Sequence, residues 1–174
     1  MFVREMSKLS GTMLRNIILG GQDGLVNVLG IVLGVGTATQ NARLILLTGL
    51  VAAAAESVSM AAVAYTSSKA EKEFDKSVRD KHGKTLHPLN EAVVVGFSSV
   101  IGSLIPLVSF LFLGVLQAMI FSLVFCAIVL FCAGAFKARL TKTQPLRSGI
   151  ELVVIGLLAA LAGYVIGVLV GVRL

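Results

Sequence analysis

The chain has 174 residues, of which 56% are hydrophobic and only 14% charged, and its formal net charge is +6. An ordinary soluble domain carries roughly 25% charge, so these values exclude disorder, collagen-like repeats and most soluble folds. The charges sit in a few blocks separated by long uncharged stretches, which is the pattern of an integral membrane protein.

A helix crossing a hydrocarbon core of about 30 Å needs roughly 20 residues, and five such runs fit. Ahead of the first, Phe2, Met6, Leu9 and Met13 recur at helical spacing beside Arg4, Lys8 and Arg15. That spacing predicts a short amphipathic helix lying on the inner leaflet. The first span covers residues 17–38 and is interrupted by Asp23; the second covers 44–66 and is interrupted by Glu56. No small-residue cleavage site follows the basic N-terminal segment, so a cleaved signal is not expected. Beyond the second span, Lys69 with Glu73 and Asp75 with Arg79 place opposite charges at i,i+4, which predicts that the helix continues into a loop over 67–90. Gly83 is its expected stop. His82 and His87 stand five residues apart in this loop, and either metal ligation or a solvated basic loop accommodates them, the second being the commoner case.

From Val93 to Phe136 there are 44 residues without a charge. This is too long for one crossing and predicts two spans, 93–113 and 116–136, joined by a turn at Gly114 to Gln117. Cys126 and Cys132 both fall in the fourth span, on different faces, so they form neither a disulfide nor a metal motif. The fifth span covers 150–172, with Glu151 near its start. The expected fold is all-α, one transmembrane domain over residues 1–174 with five spans and no separate soluble domain.

Of the fifteen Lys and Arg, thirteen lie before the first span, in the 67–90 loop or between the fourth and fifth spans, while only Arg43 and Arg173 lie on the other side. The positive-inside rule therefore makes the N-terminus and the 67–90 loop cytoplasmic and places the C-terminus opposite. The basic charge reports topology and not nucleic acid, since no aromatic residues are interleaved with it. Glycines four apart (Gly20 and Gly24, Gly30 and Gly34, and Gly163, Gly167 and Gly171) let helix backbones approach closely. For the fifth span that face serves packing, within a protomer or between protomers.

An ionised carboxylate within a span costs at least about 2.5 kcal/mol unless it is paired or hydrated, and by default it marks an ion path. Asp23 and Glu56 are such residues. Asn27 lies one turn from Asp23 and Met60 one turn from Glu56, so each helix presents a polar stripe. With a rise of about 1.5 Å per residue, Asp23 and Met60 both lie roughly 9 Å below the inner surface, and Glu56 about 15 Å. Two carboxylates, an amide oxygen and a thioether form a ladder for a partly dehydrated cation. The thioether favours softer transition ions over Mg2+ and Ca2+. The plainer reading makes Met60 core filler and Asp23 a packing hydrogen bonder. No His and no nucleophile–base pair lies in any span, so an enzyme is not expected.

The segment Asn16-Ile-Ile-Leu-Gly-Gly-Gln-Asp23-Gly24-Leu-Val, followed by Gly49-Leu-Val-Ala-Ala-Ala-Ala-Glu56-Ser-Val-Ser59-Met60-Ala-Ala, resembles the first two helices of the vacuolar iron transporter family. That family includes the yeast vacuolar calcium/manganese cross-complementing proteins and plant nodulin-21-like proteins. His87-Pro88-Leu-Asn90 leading to Gly102-Ser-Leu-Ile-Pro106-Leu is similar to its third helix, and Ser148-Gly149 through Gly156 to Tyr164-Val-Ile-Gly167 to its fifth. The resemblance implies a five-helix homodimer that exports Fe2+, and often Mn2+, from the cytoplasm in exchange for protons. It implies a path along the dimer interface, with Asp23 and Met60 among the metal ligands. The metals are cargo, and no cofactor is expected. The membrane is the cell membrane in a prokaryote and a vacuolar-type membrane in a eukaryote.

Two departures from the family pattern stand out. The family's Glu-rich cytoplasmic insertion between the second and third helices is reduced here to about Ser67 to Asn90, as in nodulin-like members. Ala64 stands where Ser-Met-Ala-Ala is usually followed by Gly-Glu-Tyr: the Tyr is kept as Tyr65 and the Glu is lost. Glu56, two turns earlier in the same span, can supply the missing carboxylate, without a family role of its own. These departures support an alternative in which the chain is a non-transporting membrane scaffold or anchor that keeps the fold.

Overall fold

The computed structural model describes the backbone of residues 2–78 and 87–171 and the side chains of 11–74 and 87–171. Among the described residues there are five α-helices, α1 (Phe2–Thr39), α2 (Ala42–Val78), α3 (Pro88–Leu104), α4 (Val115–Thr141) and α5 (Pro145–Gly171), with a 3-10 segment over Ile105–Leu111 after α3. Every one is long and apolar enough to cross a membrane, counting α3 together with the 3-10 segment. The protein is a multi-pass, all-α integral membrane protein.

The N-terminal segment corrects one expectation. It is not a separate helix on the leaflet surface: the backbone is helical without a break from Phe2 through the first span to Thr39. The one glycine between the two, Gly11, lies within the helix and does not end it. The side chains of Phe2, Met6 and Leu9 lie outside the described residues, while Met13 is exposed. The extension of the second helix past its span is present to Val78, with Lys69 Nζ 3.9 Å from Glu73 Oε1. Arg79, His82 and Gly83 lie outside the described residues.

The connections are short because each uses a local cap. Gln40 takes a left-handed φ of 51° to end α1, and Asn41 Oδ1 accepts from the N–H groups of Arg43 and Leu44 to begin α2. That is N-capping by a side-chain oxygen. At the start of α3, His87 Nδ1 accepts from Leu89 N–H and Pro88 occupies the first turn, where a missing N–H costs nothing. This gives His87 a structural role. The third helix changes from α to 3-10 at Pro106, which cannot donate to the carbonyl four residues back. Ser122 on α4 donates to the Pro106 carbonyl at 3.0 Å, and Ser109 donates to the Ala118 carbonyl at 3.1 Å. Such side-chain donors make irregular backbone tolerable inside a membrane protein. The turn then falls at Phe112–Gly114, slightly earlier than expected, with Gly114 as the N-cap of α4.

Helix α1 is central and touches all four others. It runs parallel to α3, where Gly20 abuts Val95 and Ser99, and Gly24 abuts Ser99 and Ser103. It also runs parallel to α5, where Gly30 and Gly34 abut Gly163 and Gly167. In lipid, where helices gain little from the hydrophobic effect, this close backbone contact supplies the association. The fifth-span glycine face therefore packs within the protomer. So does the Gly20–Gly24 face, which is consequently not available as a contact between protomers. Cys126 is buried and Cys132 exposed, both as free thiols.

Five antiparallel crossings put the α2–α3 and α4–α5 connections on one side and the α3–α4 turn on the other. In a background without native cysteines, a reporter at Glu71→Cys and one at Gly114→Cys should label from opposite sides of the membrane. Equal access from one side would rule out the five-span arrangement.

Candidate metal site

The polar stripes of α1 and α2 meet. Asn27 Nδ2 donates to Glu56 Oε1 at 3.1 Å, which joins two helices 29 residues apart in sequence. The Asp23 carboxyl lies beside the same group. Because α1 and α2 are antiparallel, pairing Asn27 with Glu56 fixes their register. Asp23, four residues before Asn27, and Met60, four residues after Glu56, are then both displaced by about one turn, roughly 5.4 Å, toward the same side. The ladder has Asn27 and Glu56 on its deeper rung and Asp23 and Met60 on its shallower one.

None of these side chains is sealed inside the helix bundle. Asp23, Glu56 and Met60 are half-buried and Asn27 is exposed. Apolar neighbours on the same two helices, Leu19 and Val58 among them, are exposed as well. Among the described residues, no three or more His, Cys, Asp or Glu come together within one protomer. What this open face offers is two carboxyls, an amide and a thioether. From Asn27 a largely apolar groove of about 560 Å3 continues between α1 and α5 to Thr39, floored by Gly30, Gly34, Gly163 and Gly167. The sequence shows those glycine pairs, but not that they floor an open groove starting at the site.

The other candidates fall elsewhere. Ala64 is half-buried one turn beyond Met60, so the carboxylate missing there would have extended the ladder by one rung. Glu91 is buried in the first turn of α3, whereas Glu151 is exposed on α5. Sequence reasoning missed a buried polar column behind the ladder. Ser57 Oγ lies 3.4 Å from Ser99 Oγ, and Asn16 Nδ2 and Ser103 Oγ are buried without a partner. Its signal was present: Ser99 and Ser103 sit four apart on α3, on the face that Gly20 and Gly24 touch.

Five spans with an acidic, sulfur-containing stripe between the first two define a polytopic membrane protein with a polar site at membrane depth. The chain belongs to the VIT family, whose model matches residues 14–87 and 76–168. The two matched stretches meet in the connection between α2 and α3. The chain is 23% identical to vacuolar iron transporter 1 of Oryza sativa subsp. japonica over 212 aligned positions, covering 89% of this chain and 84% of that protein. That alignment is longer than this chain, so the rice protein carries residues with no counterpart here. The chain is also 30% identical to vacuolar iron transporter homolog 4 of Arabidopsis thaliana, covering 84% of this chain and 78% of the relative, and 29% identical to homolog 3 of the same plant.

Proposed function

We propose that the protein is a secondary transporter that carries divalent transition metals, Fe2+ and also Mn2+, out of the cytoplasm in exchange for protons. It works as a homodimer whose path runs between two copies of the α1–α2 face. The observation that carries this reading is the Asp23–Asn27–Glu56 cluster at membrane depth, half open on one protomer. Carboxylates facing lipid would cost at least about 2.5 kcal/mol each. A second copy covers the face and doubles the ligand set. The names of the plant relatives support iron as cargo.

Exchange follows from the donor chemistry. A divalent cation favours the ionised carboxyl and displaces its proton, while protonation weakens the metal. Acidity on the far side therefore releases metal there, and the protonated site returns. Met60 adds preference, because a thioether suits Fe2+ better than Mg2+ or Ca2+. Replacing Met60 by Leu keeps the volume and costs under about 1.5 kcal/mol of stability. Fe2+ transport should fall about tenfold, equivalent to about 1.4 kcal/mol, and the preference over Mg2+ should narrow. Metal uptake by proteoliposomes, measured for Fe2+, Mn2+, Zn2+ and Mg2+ with an imposed pH gradient, tests both statements. No accumulation of any metal by folded wild-type protein would leave the scaffold reading, which Ala64 and the short α2–α3 connection favour.

A further inference from the structure

The α4–α5 hairpin forms a second polar site, remote in sequence from the metal ladder. Helix α4 ends on Lys142, whose left-handed φ of 56° turns the chain, and Thr143 N–H closes the turn on the Ala138 carbonyl at 2.9 Å. Just below, a Cβ on Gly134 would stand 2.5 Å from the Ser148 carbonyl oxygen. The two helices therefore touch there and splay apart above, leaving an open pocket of about 570 Å3.

Four features of this pocket suit an oxyanion. Lys137 and Arg147 line it, and neither forms an ion pair among the described residues, although Glu151 lies in the same pocket one turn from Arg147. It lies at the N-terminus of α5, a 27-residue helix, whose partial positive charge attracts anions. The first bond of α5 runs from Ser148 N–H to the Gln144 carbonyl at 3.2 Å, which leaves the N–H groups of Leu146 and Arg147 before it. Ser148 also lines the pocket; the residue is only 7% exposed, and its buried hydroxyl has no hydrogen-bond partner among the described residues. A buried hydroxyl without a partner is costly, and turning toward a ligand oxygen in the pocket would satisfy it.

We propose that this pocket holds the phosphate of an anionic phospholipid from the leaflet on the Lys- and Arg-rich side of the membrane. A lipid is favoured over a soluble phosphate because the pocket sits where two spans end. Phe136, Leu140, Leu146 and Ile150, beside the polar lining, are all exposed and offer a surface for acyl chains. Basic pockets at the cytoplasmic ends of membrane helices bind lipid headgroups in this way. Glu151 limits the net charge, so a phosphodiester suits the site better than a more highly charged group.

Native mass spectrometry of the delipidated full-length protein, titrated with phosphatidylglycerol and phosphatidylcholine, measures the preference. Wild type should retain phosphatidylglycerol in preference to phosphatidylcholine. Lys137→Gln with Arg147→Gln should weaken that retention about thirtyfold, at about a factor of five per cation. Ser148→Ala, which leaves charge unchanged and removes only the hydroxyl, should weaken it about tenfold, and it serves as the test if the double variant fails to fold. Lys72→Gln on α2 should leave it unaltered. Unchanged retention in Ser148→Ala and in a folded double variant, or an equal loss in Lys72→Gln, would overturn the site. Displacement of the lipid by millimolar inorganic phosphate would overturn the choice of a lipid and point to a soluble anion.

Discussion

Replacing Asp23 by Asn should abolish metal-dependent proton movement while leaving a folded protein. The side chains are nearly the same size, and Asp23 is half-buried beside Glu56, so the packing of α1 on α3 and α5 is untouched. What changes is charge. The amide binds no exchangeable proton and gives a cation only a neutral oxygen, whereas Asp23 supplies a full negative charge on the shallower rung of the ladder. Loss of groups that merely orient a metal ligand typically costs 10–100-fold, so loss of a ligand should reduce Fe2+ transport by at least about 100-fold. The check is simultaneous recording of Fe2+ uptake and lumenal pH in proteoliposomes. Wild-type transport by Asp23→Asn would remove the exchange mechanism, because a permanently protonated, packing Asp23 is the only role that Asn can fill unnoticed.

The second large effect concerns assembly. Leu19 lies one turn before Asp23 and is exposed on the stripe that leads to Asn27. If two protomers close the ladder about a twofold axis, identical residues near that axis approach one another. In a protein with Cys126 and Cys132 replaced, Leu19→Cys should crosslink almost completely in oxidised membranes. Val124→Cys, exposed on α4, should remain monomeric. Gly24 would not report on such a contact, because it is buried against Ser99 and Ser103 of the same chain. Monomer alone at Leu19 and also at Ile31 would move the interface away from α1 and leave the half-shell of ligands without its complement.

Much of the ladder was legible in the sequence. Asp23 and Glu56 announced themselves as charges in apolar runs, and the i,i+4 spacing placed Asn27 and Met60 on the same stripes. The common depth of Asp23 and Met60 came from helical rise alone and agrees with the register that the Asn27–Glu56 hydrogen bond sets. The groove from Asn27 to Thr39 was not legible, because it exists only where α5 lies beside α1. The buried Ser57–Ser99 contact and the pocket around Ser148 were hidden for the same reason: serines are common in membrane helices, and their spacing does not say which neighbour they meet.

The sequence by itself determined the number of spans, the side on which the positive charges gather and the relative heights of Asp23, Met60 and Glu56. Each of these follows from quantities that are local to one helix: length, charge and rise per residue. Only the tertiary structure decided which way each face points. Gly20 and Gly24 could have met a partner protomer as readily as α3, since a stripe of small residues accepts any backbone that fits it. The choice fell to α3 because α1 occupies the centre of the bundle and must approach α3 and α5 closely along two of its faces, which leaves the stripe of Leu19, Asp23 and Asn27 partly uncovered.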